Sequence, residues 1–224
     1  GRMGHAKLAA LPTLAAGPSR RSIGKLFSPG FLSTTLLVTL AYFGHITTFY
    51  FILKWTPKIV ADMGFDPSSA AGVLVWANVG GALGGLLFGL LTLRFGLKGL
   101  TLSALVLSTI LVSAFGRGPE DLRQLALMAG SAGFCTEAGI VGLFSILAQV
   151  FPTDLRASGT GFAIGVGRGG AALAPILAGL LFQAGHGLQT VAIVMGAGSL
   201  IAAVALTLVR VGGRLPAGHR SDRQ

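Results

Sequence analysis

Two charged residues stand inside otherwise apolar stretches of this sequence: Glu137 in the run from about 124 to 151, and Arg168 in the run from about 157 to 182. A charge held in hydrocarbon costs about 2.5–3.5 kcal/mol on insertion scales, so each is a candidate for chemistry. Arg168 lies roughly 16 Å into its run at the helical rise per residue. A guanidinium there suits two-pronged capture of a carboxylate; the competing reading is a structural ion pair, or a side chain reaching into a cytoplasmic cavity. Glu137 lies roughly 21 Å from the same end of its own run, about 5 Å deeper. A carboxyl poised between burial, which favours its neutral form, and a nearby arginine, which favours its charged form, can load and release a proton. The competing reading makes it the fixed partner of Arg168. Tyr42, His45 and Phe49 are spaced i, i+3, i+7 and share one helix face. That face suits an aromatic substrate, with His45 as polar contact or titrating group, or else simple packing around one hydrogen-bonded histidine. The Asn78 amide can pair with backbone or with substrate.

Arg168 also sits in the stretch Gly165-Val-Gly-Arg-Gly-Gly170, which matches the phosphate-cradling pattern G-x-G-x-x-G. That pattern requires a preceding strand, a helix opening at the glycines and an acid about 20 positions on. Here GTGFAI precedes it, already inside an apolar run, and no acid follows at that distance. The glycines are better read as helix-packing positions. Gly161, Gly165 and Gly169 recur every four residues, as do Gly80 with Gly84, and Gly81 with Gly85 and Gly89. Small residues at this spacing let helix backbones approach closely in lipid. Pro175 predicts a kink in the same helix. With Cys135 as the single cysteine, no disulfide framework or Cys/His metal spacing is available, and no cofactor motif is present.

The elements that must position these residues follow from composition. Only 11% of the 224 residues are charged and 52% are hydrophobic, against roughly 25% charged in soluble domains. Six apolar runs approach the roughly 20 residues needed to cross a bilayer: about 31–53, 70–93, 99–116, 124–151, 157–182 and 188–209. The net charge of +10 is placed as membrane topology demands rather than as a nucleic-acid footprint. Arg20, Arg21 and Lys25 precede the first run, Arg94 and Lys98 follow the second, Arg156 follows the fourth, and Arg210 and Arg214 follow the sixth. On the opposite side Lys54, Lys58, Arg117 and Arg123 are matched by Asp62, Asp66, Glu120 and Asp121. The expected architecture is all-α and integral to the membrane. It has a mobile cytoplasmic linker over 1–28, a six-helix bundle over 29–210 and a cytoplasmic tail over 211–224, with both termini inside.

The loop after the second run carries a resemblance. Gly89, Arg94, Gly96 and Lys98 match G-x-x-x-D-R-x-G-[RK]-[RK], the loop motif of the major facilitator superfamily, while Leu93 and Leu97 replace its acid and one base. The stretch Phe151-Pro-Thr-Asp-Leu-Arg156-Ala-Ser-Gly159, running on to Gly165–Gly170 and Pro175, and the stretch Lys54-Trp-Thr-Pro57 with Met63-Gly-Phe65, resemble the aromatic acid:proton symporters of that superfamily. The resemblance implies the C-terminal half of a twelve-helix inner-membrane transporter, the other six helices being its partner. Its cargo would be small organic anions, aromatic carboxylates foremost, moved with protons and without enzymatic chemistry or a cofactor. The alternatives are a symporter of sugars or other metabolites within the same superfamily, and a membrane bundle that transports nothing.

Overall fold

A backbone in hydrocarbon must satisfy its own hydrogen bonds, so long apolar runs fold as helices. The computed structural model describes residues 21–118 and 121–209. Within them it contains eight α-helices: α1 Arg21–Leu26, α2 Leu32–Asp62, α3 Pro67–Leu91, α4 Leu97–Phe115, α5 Leu122–Val150, α6 Arg156–Gly167, α7 Gly169–Gln183 and α8 Leu188–Leu208. Six stretches are long and apolar enough to cross a membrane, α6 and α7 together forming one of them. The chain is therefore an integral membrane six-helix unit. Residues 1–20 of the expected linker, the tail over 211–224, and Arg20, Glu120, Arg210 and Arg214 lie outside the described residues.

Three boundaries differ from the sequence reading, each for a local reason. The end of the expected linker is a short docked helix: Leu26 is fully buried, the Thr35 hydroxyl donates to the Leu26 carbonyl at 3.1 Å, and Phe27 meets Phe162 edge-on at 5.2 Å. Helix α2 continues past Leu53 to Asp62, because Lys58 and Asp62, one turn apart, pair at 2.8 Å and extend the helix beyond its apolar part. The fifth run is interrupted at Arg168, among glycines that favour helix weakly, whereas Pro175 lies inside α7 without ending it.

Helix starts are chemically marked. Asp66 caps α3, accepting from the backbone N–H groups and hydroxyls of Ser68 and Ser69, with Pro67 in the first turn. The hydroxyl of Ser68, then that of Ser69, holds the Asp66 carboxyl well below the usual carboxylate range. Lys98, at the start of α4, donates to the carbonyls of Thr207 and Val209 at 3.0 and 2.6 Å and so satisfies the end of α8.

Helices pack α3 on α5, α2 on α8, α4 against both α5 and α8, and α2 against α3, α5, α6 and α7. The core is divided. One large apolar cluster includes Tyr42, Ile46, Ile140, Leu143, Ala202 and Leu206, a second includes Phe51, Ile52, Ala129, Ala132, Ala192 and Met195, and a small third joins Phe88, Ala104 and Ala138. Between the first two, at one level, lie His45 and Thr48 of α2, Thr136 of α5 and Ser199 of α8, all buried. A polar layer thus crosses the middle of the bundle.

Candidate functional site

At that level a cavity of about 330 Å³ opens between α2, α3 and α5. Its lining includes Phe49 and Leu53 of α2, Asn78, Gly81 and Gly85 of α3, and Gly133, Thr136 and Glu137 of α5. The volume falls at the lower end of the range for small-molecule sites. All three helices contribute residues near their midpoints, so the cavity sits near the middle of the membrane.

Glycines on α3 make the room. A Cβ at Gly81 would lie 3.5 Å from the Glu137 Cβ, and one at Gly85 would lie 3.6 Å from its Cγ. The stem of Glu137 therefore runs across bare α3 backbone into the cavity. Glu137 is the one charged side chain in the lining, and among the described residues it has no ion-pair partner within 4.0 Å. The Asn78 amide donates to the Leu74 carbonyl at 2.8 Å, one turn back on its own helix.

Of the candidates read from sequence, Phe49, Asn78 and Glu137 come together here, and three others lie elsewhere. His45 is fully buried: its Nε2 is 2.8 Å from the Thr136 carbonyl of α5 and its Nδ1 is 2.8 Å from the Ser199 hydroxyl of α8. Tyr42 is buried against Phe144 and Gly167, outside the cavity. Arg168 stands exposed at the junction of α6 and α7, next to Gly167, which packs on the Tyr42 ring. The alternative reading, an ion pair between Arg168 and Glu137, is not seen among the described residues. Arg168 is not among the residues that line the cavity, and no ion pair joins the two.

Within this chain the glycine spacing closes a seam on α3 and none on α6. A Cβ at Gly80 would run into the carbonyl of Gly130, and one at Gly84 into that of Phe134, so these positions do set the α3–α5 distance. On α6, Gly161 and Gly165 have nothing within 4 Å of a would-be Cβ, and Gly169, the first residue of α7, meets only the Phe43 ring at 3.5 Å. The packed face is instead Gly159, Ala163 and Gly167. Gly89 is likewise open, and Gly96 precedes α4 in extended backbone. Arg94 of the loop motif is exposed and has no ion-pair partner among the described residues, while Lys98 performs the capping described above. Thr136, Gly133 and Gly85, which help to line the cavity, were not singled out from sequence as site residues. The four-residue spacing of Gly81 and Gly85 opposite a lone acid was the available signal.

A six-helix membrane unit with a mid-depth cavity is the architecture of half a secondary transporter. The profile of the Major Facilitator Superfamily matches residues 14–223, and the chain belongs to that family. It is 34% identical over 185 residues to the 3-(3-hydroxy-phenyl)propionate transporter of Escherichia coli (strain K12), covering 82% of this chain and 45% of the relative. It is 26% identical over 182 residues to the gallate transporter of Pseudomonas putida (81% and 40%). With the benzoate transport protein of Acinetobacter baylyi it shares 31% over 152 residues (67% and 32%). The chain spans less than half the length of these relatives.

Proposed function

We propose that this chain is the C-terminal six-helix half of a secondary transporter that moves small aromatic carboxylates together with protons by alternating access. The observation that carries the reading is the mid-membrane cavity with Glu137 as its single charge, in a chain similar to proteins named for aromatic-acid transport. A carboxyl in such a place takes up a proton from one side and releases it to the other as exposure alternates. Phe49 supplies an aromatic wall, Asn78 a polar contact, and Arg168, exposed at the junction of α6 and α7, a cation for the substrate carboxylate.

The N-terminal partner completes the cavity, so the isolated chain reconstituted in vesicles is expected to show no gradient-driven uptake. In the complete inner-membrane transporter, uptake of labelled benzoate or 3-hydroxyphenylpropionate should rise with an inward proton gradient. Glu137→Gln keeps the shape and removes the titrating group; uptake then loses its pH dependence while exchange of substrate for substrate survives. Unchanged pH dependence in Glu137→Gln would return the residue to a structural role. Cysteine labelling should find positions 20 and 214 on the cytoplasmic face and position 186 outside.

A further inference from the structure

We propose that His45 is a positioning residue for Glu137: its buried imidazole fixes the turn of α5 that presents the carboxyl to the cavity. The inference rests on the role given above to Glu137. A carbonyl oxygen can only accept, so the 2.8 Å contact with Thr136 places the proton on Nε2. The neutral ring then has its lone pair on Nδ1, which accepts from the Ser199 hydroxyl. Thr136 is adjacent to Glu137 and itself lines the cavity.

Two independent features show that the bundle is built around this contact. Gly139 lies one turn beyond Thr136 and faces the ring; a Cβ there would stand 2.6 Å from Nε2 and displace it. On the other side, α2 and α8 are locked together beside the ring. The Thr48 hydroxyl donates to the Met195 carbonyl at 2.7 Å and accepts from the Ser199 N–H at 3.0 Å. The backbones meet at Gly44 and Gly198, where any side chain would strike the opposing carbonyl. Among the described residues, no other hydrogen bond from a side chain joins α2 to α5. The imidazole therefore ties the rigid α2–α8 pair to α5 one residue from the acid. Glu137 has no ion-pair partner of its own to orient it, so the backbone of α5 sets where its carboxyl points.

The test separates the two ends of the imidazole. In His45→Gln the side-chain N–H reaches about as far as Nε2 and keeps the bond to Thr136. In His45→Asn it reaches only the Nδ1 position and that bond is lost. Ser199→Ala removes the other contact alone. In the complete transporter, His45→Asn should lower the maximal uptake rate by about tenfold or more with little change in KM, as expected of a misplaced group. His45→Gln and Ser199→Ala should stay close to wild type. A second readout needs no transport: with Cys135→Ser as background, a cysteine introduced by Glu137→Cys is labelled with a small polar maleimide. Its labelling rate should change severalfold with His45→Asn and not with His45→Gln. If His45→Asn fails to accumulate, Gly139→Ala, which pushes the ring off the carbonyl from the α5 side, must reproduce the effect. Equal impairment by Gln and Asn, or an unaltered labelling rate in both His45→Asn and Gly139→Ala, overturns the proposal. A failure of Glu137→Gln to alter pH dependence overturns the coupling role instead and leaves the labelling result standing.

Discussion

Helices α3 and α6 carry the same four-residue glycine spacing and use it in opposite ways. On α3, Gly80 and Gly84 are pressed against the carbonyls of Gly130 and Phe134, and the neighbouring Gly81 and Gly85 give Glu137 its path into the cavity. On α6, Gly161 and Gly165 face open space, and Arg168, a little further along, is exposed as well. The seam that is closed within this chain holds the acid, and the face that is left open holds the cation. A small-residue stripe shows that something approaches closely; it does not show whether that something lies on the same six helices.

The largest effect is expected where the seam is closed. In Gly84→Ala the new methyl meets backbone atoms of Phe134, which cannot rotate away as a side chain can. Overpacking of this kind costs about 3 kcal/mol or more, at the upper end of the usual range. The purified protein should unfold at lower temperature or denaturant. A cysteine introduced by Glu137→Cys should label faster as α3 and α5 part. Wild-type stability in Gly84→Ala would dissolve the distinction between the two helices.

Next comes Arg168, on the open side. Arg168→Lys keeps the charge and loses the planar fork. If the guanidinium holds a substrate carboxylate, the loss of a charged hydrogen bond costs about 1.5–3 kcal/mol, so apparent affinity falls roughly 10- to 100-fold while folding is little changed. Binding of a labelled aromatic acid to the complete transporter checks this. Undiminished affinity would leave the cavity around Glu137 as the whole of the site on this half.

How much of this was legible in sequence depends on what kind of information each feature needs. The six spans were readable because apolar length is a local property, and Glu137 and Arg168 stood out because charge inside such runs is rare. The end of α2 was not, since Lys54, Lys58 and Asp62 look like loop polarity until the i,i+4 pair is seen to continue the helix. Periodicity identified which glycines of α6 share a face, but not which face is packed. The residues against the neighbouring helices are Gly159, Ala163 and Gly167, two positions away and so roughly 200° around the helix. The likeness of Tyr42, His45 and Phe49 as one face was real at the level of spacing. Three different neighbours (α6, the α5–α8 pair, and the cavity) then gave them three different surroundings.

A smaller effect is expected at Gly167. Its would-be Cβ meets the buried Tyr42 ring, which can turn only slightly before it presses on Phe144. Gly167→Ala should therefore destabilise by about 2 kcal/mol, less than Gly84→Ala, where the obstacle is backbone. If both glycines cost the same, backbone and side-chain obstacles are not distinguished and seam geometry does not set the cost.

The smallest effect carries its own sign. Gly165 has no neighbour for a Cβ to strike, and alanine favours helix over glycine by roughly 0.8–1 kcal/mol in a helix interior. In this chain alone Gly165→Ala should be neutral or slightly stabilising, read as an unchanged or raised midpoint of thermal unfolding. In the complete transporter the expectation changes if the open face of α6 receives a helix of the other half. There the same methyl should slow uptake while leaving the six-helix unit intact, and Gly165→Leu should abolish it. Gly161→Ala, one turn earlier on the same face, should follow Gly165→Ala in both settings. A transporter indifferent to leucine at position 165 would place that face against lipid, and the contrast between α3 and α6 would then be one of packed against lipid-facing glycine rather than of inner against outer seam.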